Sequence, residues 1–365
     1  MLADASVLLG HERDLRYYEH RGGPPGFVFY ITVEVTHRCN LQCRHCHIGA
    51  NGRAEDMDTA EALRLFDQAA ALGVRRVYFT GGEPTVHPDL LRMMAAVTQR
   101  GMELGLISNG FSLDRGLARE LKEVGVKVVA VSLLRSDAKA FDDFTRTPGA
   151  FAAAARALAS LKEVGVPRVV MLTIGSQVGL PDGEIDRLID LATSLGVELG
   201  DERMMPIGRA AEAQHPLISD KARYYQYCSH LQQKRQEMQG RTPISSADPL
   251  WFLIDPNGPF SFRGQDSVPD RTAPFCVAGW HMAITPNLDV KPCAFLHIRA
   301  GSLRTESLDH IWHEAPVMRA IRCKDNLKGK CRRCEFRHQC GGCRSTAYSI
   351  TGDLFAEDPL CWREV

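Results

Sequence analysis

Residues 28–46 read VFYITVEVTHRCNLQCRHC. The first eight are apolar or β-branched apart from Glu34, a composition that predicts a strand. The run passes through Thr36, His37 and Arg38 straight into Cys39, Cys43 and Cys46, spaced C-x3-C-x2-C. In α/β folds the loop after a strand lies at the sheet edge where active sites are built. Three thiolates in one short loop can face a common centre. A closed [4Fe–4S] site takes four cysteines. Three leave one iron without a protein ligand, the open position that catalysis at a metal requires. A zinc ion with His37, His45 or His47 as fourth ligand is the other reading of this spacing.

Outward from this stretch, short β-branched runs alternate with longer amphipathic ones. Strands are expected at 28–35, 76–80, 103–108, 127–132, 168–174 and 197–203, and helices at 58–72, 88–100, 114–123, 149–163 and 182–194. Asp58, Asp114 and Asp182 are placed to cap helix starts, and Gly73, Gly101, Gly125, Gly165 and Gly196 to end helices. Six strands in alternation with helices imply a parallel sheet with right-handed crossovers. A doubly wound sheet and a curved partial barrel both fit. Several strands end in polar residues: Thr80-Gly81-Gly82-Glu83-Pro84, Ser108-Asn109-Gly110 and Ser132. Paired glycines bring bare peptide groups close to a ligand, and a carboxylate beside them can accept from an ammonium group.

Residues 204–275 are less regular, with a helix expected at about 219–239. From Cys276 the chain is rich in glycine and cysteine. A hairpin is expected around Pro286-Asn287, and helices at 307–321 and after Cys340. Cys331, Cys334, Cys340 and Cys343 are spaced C-x2-C-x5-C-x2-C. Such a segment has little apolar core of its own, so bound metal is expected to stabilise it. Composition alone suits a zinc ribbon or double knuckle equally well.

Lys+Arg and Asp+Glu both number 44, so no global field gathers nucleic acid or anionic lipid. No run approaches the roughly 20 apolar residues that span a bilayer. The opening MLADASVLLGHERD has no basic leader and its short apolar run is broken by Asp4, so no secretory signal is expected. The expected location is cytoplasmic. In a reducing compartment 12 cysteines read as metal ligands rather than disulfides.

The cysteine loop, the GGEP and SNG strand ends and the C-terminal cysteines together resemble the radical SAM superfamily with its SPASM extension. The resemblance implies an N-terminal arm at 1–26, a partial (β/α)6 TIM-like barrel at 27–215, a bridging region at 216–275 and a small cysteine-rich iron–sulfur domain at 276–365. Cys39, Cys43 and Cys46 would hold a [4Fe–4S] cluster whose open iron is chelated by S-adenosylmethionine. An electron from it cleaves the sulfonium to a 5′-deoxyadenosyl radical. Gly81, Gly82, Glu83 and Pro84 match the motif that holds the cofactor's amino group, and Ser108 and Asn109 the motif near its ribose. Ser132 fills the slot of the family's V-S-L-D, without the Asp. Arg146, one place late in the family's H-D-x-x-R-x-x-G-x-F, is the candidate partner of the cofactor carboxylate. His45 replaces the aromatic residue often found before the last cysteine.

By the same resemblance Cys276, Cys293 and Cys343 would serve auxiliary cluster I, and Cys331, Cys334, Cys340 and Cys361 cluster II. The family's Gly five places before the second of these cysteines is Leu288 here. No cysteine just before Cys276 completes cluster I. That leaves an open iron, a non-cysteine ligand, a [2Fe–2S] form or Cys323. Lys and Arg recur from Arg322 to Arg344, Lys324 among them. They read either as cations that raise a cluster's potential or as a solvated basic face.

Auxiliary clusters imply a net oxidation of a substrate radical, with a flavodoxin- or ferredoxin-type electron donor as partner. The first expectation is maturation of a ribosomally made peptide. An arm of about 26 residues is too short for a built-in leader-peptide domain, so a separate recognition protein would be needed. The second is dehydrogenation or epimerisation of a small molecule such as a sugar, aminocyclitol or porphyrin-pathway intermediate. Epimerisation needs a hydrogen donor, for which Cys228 and Cys323 are candidates. A zinc-stabilised binding module is the non-enzymatic alternative.

Overall fold

The computed structural model describes residues 2–5, 30–50, 55–174, 182–212, 220–255 and 275–365. Of the arm expected at 1–26 only residues 2–5 fall within the described residues, where Ala3–Asp4 pairs with Ile298–Arg299.

Six strands form the body of the sheet: β1 (Tyr30–Thr36), β2 (Arg76–Gly81), β3 (Glu103–Ser108), β4 (Val126–Ser132), β5 (Arg168–Thr173) and β6 (Glu198–Asp201). Each pairs in parallel with the next. The order never reverses, as it would in a doubly wound sheet. It is the order of a barrel, and among the described residues the two ends of the sheet are not joined to one another. The result is the expected partial barrel. Helices α1 (Thr59–Ala71), α2 (Leu90–Gln99), α3 (Arg115–Glu123), α4 (Ala138–Thr145), α5 (Ala150–Val164) and α6 (Glu184–Leu195) lie between and after these strands. The Asp58 and Asp114 carboxylates accept from backbone N–H groups of Glu61 and Leu117, both at 2.9 Å. Asp182 does not cap α6, because Gly183 takes the N-cap position in the left-handed conformation. Helix α4 is an addition to the sequence reading.

Both ends of the sheet are extended by strands from outside the six repeats. β7 (Ile244–Ser246) pairs in parallel with β6. β8 (Met282–Ile284) pairs in parallel with β1 and antiparallel with β9 (Asp289–Lys291), closing the expected hairpin. Leu288 in that turn has φ 68°. The position calls for the left-handed conformation that suits glycine, and a leucine there costs about 1 kcal/mol.

The C-terminal region therefore does not rest on metal alone for a core. Met282, Ile284, Val290, Trp312 and Met318 belong to the same apolar cluster as Ile31, Val33 and Phe79. The helix expected at 307–321 is two, α8 (Leu308–Glu314) and α9 (Pro316–Arg322), separated where Pro316 opens the second because proline lacks the N–H an interior position needs. α7 (Lys221–Glu237), α10 (Gly329–Arg333) and α11 (Arg344–Thr351) complete the set.

Three buried ion pairs, two of them sharing one arginine, tie the parts together. Lys291 of β9 donates to Glu34 of β1 at 2.6 Å, with both side chains buried; this ammonium holds the Glu34 carboxyl far below its usual range. Arg203, just past β6, forks onto Asp248 at 2.7 and 2.8 Å and reaches Asp358 near the C-terminus at 2.7 Å. All three are buried.

Candidate active site

The strand ends of the partial barrel open onto a cavity of about 240 Å³. Cys39, Cys43 and Cys46 line it, with Gly81 and Gly82 after β2, Ser108 and Asn109 after β3, and Ser132 after β4. The sequence motifs thus converge on one void.

The cysteine loop is fixed by its surroundings rather than by its own structure. Gly82 N–H donates to Thr36 O at 2.7 Å and Glu83 N–H to Arg38 O at 2.9 Å. A Cβ on Gly82 would lie 2.0 Å from Arg38 O, so only glycine permits this approach. Gln42 and Arg44 N–H groups donate to the last carbonyls of α4, those of Thr145 and Phe144. Arg209 clamps the far side, donating to Cys43 O and Ala50 O at 2.8 Å. His45 stacks on Phe144 with ring centroids 5.1 Å apart. Burial pushes its pKa down to about 4, so the ring is neutral and serves as packing. The Nε2 atom of His37, read as one potential zinc ligand, lies 2.8 Å from Glu34.

Burial, reinforced by the neighbouring thiols, pushes Cys39 up to about 11 and Cys43 up to about 12. Cys39 and Cys43, desolvated and crowded beside Cys46, call for a cationic centre beyond the Arg209 guanidinium near Cys43 to bind as thiolates. Leu41 N–H (3.4 Å) and the Asn109 side-chain amide (3.7 Å) approach Cys39 Sγ, and Ala50 N–H approaches Cys46 Sγ (3.3 Å). Such donors stabilise sulfur carrying negative charge. Among the described residues no three His, Cys, Asp or Glu side chains converge closely enough for a single ion. A cluster instead binds each thiolate to a different iron, around a void. The residues present fit an iron–sulfur cluster.

Cys276, Cys293 and Cys343 line the same cavity from the C-terminal side. Burial first, then the other two thiols, raise Cys293 to about 12, and burial raises Cys343 to about 11. Cys331, Cys334, Cys340 and Cys361 line a second, smaller cavity. Both predicted ligand sets are thus gathered by the fold.

Five predicted site residues are placed elsewhere. The Glu83 carboxylate is fully buried and does not line the cavity. It accepts from Asn109 N–H (2.7 Å), the Ser108 hydroxyl (2.8 Å), the Thr85 hydroxyl (2.7 Å) and Thr85 N–H (3.1 Å), so it braces the strand ends. Pro84 is buried behind it. Arg146 is the exposed, left-handed C-cap of α4, away from the cavity lining. Neither hydrogen-donor candidate lines the main cavity: Cys228 packs with Tyr224 and Leu250 in a separate apolar cluster, and Cys323 ends α9. Conversely, Arg209 and Glu202 line the cavity unannounced, in or beside a stretch whose sequence shows no periodic pattern. Burial and the adjacent Asp201 push Glu202 up to about 8.

A partial barrel whose strand ends gather thiols around one cavity defines a metal-cofactor enzyme. The chain belongs to the radical SAM superfamily, whose family model matches residues 33–192; the model of the SPASM iron-sulfur cluster-binding domain matches residues 276–335. S-adenosylmethionine and [4Fe–4S] clusters are accordingly its cofactors, and the zinc-module reading gives way. Among relatives, an AdoMet-dependent heme synthase of Methanosarcina barkeri is 30% identical over 339 residues, 91% of this chain and 95% of that protein. A PqqA peptide cyclase of Methylocella silvestris is 28% identical over 345 residues, 91% and 86% of the two chains. The fold matches that of Streptococcus suis SuiB bound to precursor peptide SuiA, with TM-score 0.75, 18% identity and coverage of 92% and 76%. No described helix is long and apolar enough to cross a membrane.

Proposed function

We propose that this chain is a radical SAM oxidoreductase that matures a peptide. Cys39, Cys43 and Cys46 hold the cluster that binds S-adenosylmethionine; when bound, that pair supplies a 5′-deoxyadenosyl radical. Gly81 and Gly82 offer bare peptide groups to the cofactor's amino end, and Ser108, Asn109 and Ser132 offer polar contacts along the same rim. The apolar remainder of the lining, including Leu134, Phe141, Leu172 and Phe295, keeps water from a reactive intermediate.

The observation that carries the reading is the shared cavity. Cys39, Cys43 and Cys46 face it from one side and Cys276, Cys293 and Cys343 from the other. With the cofactors bound, the adenosyl radical would supply hydrogen-atom abstraction and the auxiliary side would take up one electron; this chain's own part is to hold the substrate group between the two thiol sets and to receive one proton on a base, completing a net loss of two hydrogens. Glu202 lines the void, and in its ionised form, which its raised pKa makes available above about pH 8, it is the carboxylate positioned to take that proton.

The relative named PqqA peptide cyclase supports a peptide substrate. The relative named heme synthase supports a second reading, a porphyrin-pathway small molecule. Among the described residues the two arginines that line the cavity favour the first. Arg203 is spent on Asp248 and Asp358, and Arg209 on Cys43 O and Ala50 O, leaving both engaged where porphyrin carboxylates would need cations. The test is anaerobic reconstitution with iron and sulfide, then dithionite and S-adenosylmethionine. Formation of 5′-deoxyadenosine supports the chemistry; its absence refutes it. Incubation with a small peptide encoded beside the gene, compared with a porphyrin carboxylate, decides the class by which one loses the mass of two hydrogens.

A further inference from the structure

Lys324 follows α9 and is 6% exposed, yet its Nζ atom has no hydrogen-bond partner among the described residues. A buried ammonium without a partner is costly, so something anionic belongs beside it. Its charged surroundings are thiols from both auxiliary sets and one further cation: Cys276 of the first set, the Arg344 guanidinium, Cys340 of the second set, and Cys323 next in sequence. A Cβ on Gly341, the residue after Cys340, would meet Lys324 Nζ at 3.3 Å. The ammonium therefore packs on the backbone of the second set while lying within electrostatic reach of the first.

Arg344 repeats the pattern on the other side of the second set. It is fully buried, and its Nη2 atom has no partner among the described residues. A Cβ on Gly342 would meet that Nη2 at 2.9 Å and Cys331 Sγ at 3.3 Å. By contrast, Lys328 and Arg337, from the same basic stretch, are paired at the surface with Asp353 and Asp325. The stretch from Arg322 to Arg344 is thus not one solvated face: two of its cations are buried against the thiols without carboxylate partners.

We propose that Lys324 is a redox-positioning residue shared by the two auxiliary clusters, its fixed positive charge favouring the reduced form of each. A cluster gains one negative charge on reduction, and a desolvated cation nearby stabilises that charge far more than a surface cation does. One ammonium between two acceptors eases the passage of an electron from the cavity-side set to the outer set. This rests on the assignment of the two cysteine sets as cluster ligands.

The experiment is an EPR-monitored redox titration of the reconstituted full chain, parent against Lys324→Met, Lys324→Gln and Lys324→Arg, with iron and sulfide content measured on each sample. Expected is at least a tenfold shift of the reduction equilibrium toward the oxidised form in the Met and Gln variants, about 59 mV for one electron. The shift should appear in both auxiliary signals. The Arg variant should titrate close to the parent. The signal that responds to added S-adenosylmethionine should keep its potential in all variants, and Lys328→Met should match the parent throughout. Unchanged auxiliary potentials in Met and Gln variants with parental iron content overturn the proposal alone. An Arg variant shifted as far as Met overturns it as well, since packing rather than charge would then be responsible. A parent with no auxiliary signal overturns the ligand assignment and the proposal together.

Discussion

The Glu83 carboxylate accepts a hydrogen bond from the backbone N–H of Asn109 at 2.7 Å, joining the end of β2 to the end of β3 beneath the cavity rim. The same carboxylate takes the Ser108 and Thr85 hydroxyls. Glu83→Gln puts an amide N–H against donors that need an acceptor. The expected cost is about 1–3 kcal/mol, with weaker S-adenosylmethionine binding because Ser108 and Asn109 lose their anchor. Urea denaturation and equilibrium dialysis check the two parts; a variant as stable as the parent would show that the bracing is not needed.

Gly82→Ala drives a methyl into Arg38 O, which is backbone and cannot swing aside. The cysteine loop must move, and displacement of about 1 Å costs roughly a hundredfold in rate. The measurement is 5′-deoxyadenosine formation, with circular dichroism confirming the fold. Parental rates would mean that the loop tolerates the shift.

The two cavities predict separable losses. Cys43→Ala should abolish 5′-deoxyadenosine formation while leaving the auxiliary iron in place. Cys340→Ala should lower iron content yet still cleave S-adenosylmethionine. If both variants lose cleavage alike, the cavities do not act as separate sites.

Glu202 gives a pH signature. Folded, its pKa is raised to about 8 against an ordinary 4.5. Between these values the folded chain keeps a proton that the unfolded chain has released. Its contribution to stability is full below about 4.5 and falls as pH rises toward 8. Glu202→Gln abolishes the titration, so the variant's melting temperature should gain on the parent's from pH 5 to pH 8, measured without S-adenosylmethionine. A constant difference across that range would contradict the burial of the carboxyl.

Arg203→Met should be the most destabilising of these changes. It strands Asp248 and Asp358 in the interior, at a cost of about 3–5 kcal/mol. Guanidinium denaturation at pH 7 measures it. Acidification should shrink the deficit as the stranded carboxyls protonate.

The parallel sheet is legible because every strand from β1 to β5 carries β-branched residues, and Val197 stands just before β6, a pattern local to each repeat. The cavity thiols were legible because Cys39, Cys43 and Cys46 stand on one loop. What escaped notice depends on distance. Strand β7 has only three residues, and its pairing with β6 leaves no periodic trace. Helix α4 lies in a segment read for its motif residues, and its C-cap leaves Arg146 exposed although the residue type suits a carboxylate. Glu83 reads as a ligand because a carboxylate beside two glycines can serve either role; its four donors, two of them at the end of the next strand, are set by the fold and leave no trace in the local sequence. Arg209 clamps carbonyls about 160 residues earlier in the chain, a relation no local pattern announces.

The pairing of β1 with β8 has a consequence for synthesis on the ribosome. Ile31 meets Met282 across that ladder, so β1, covered on its other edge by β2, waits about 250 residues for its second neighbour. Until then its hydrogen-bonding edge is open, and an open edge recruits other chains. Half-made chains therefore carry that edge uncovered, and a fragment ending before Met282 would keep it exposed permanently.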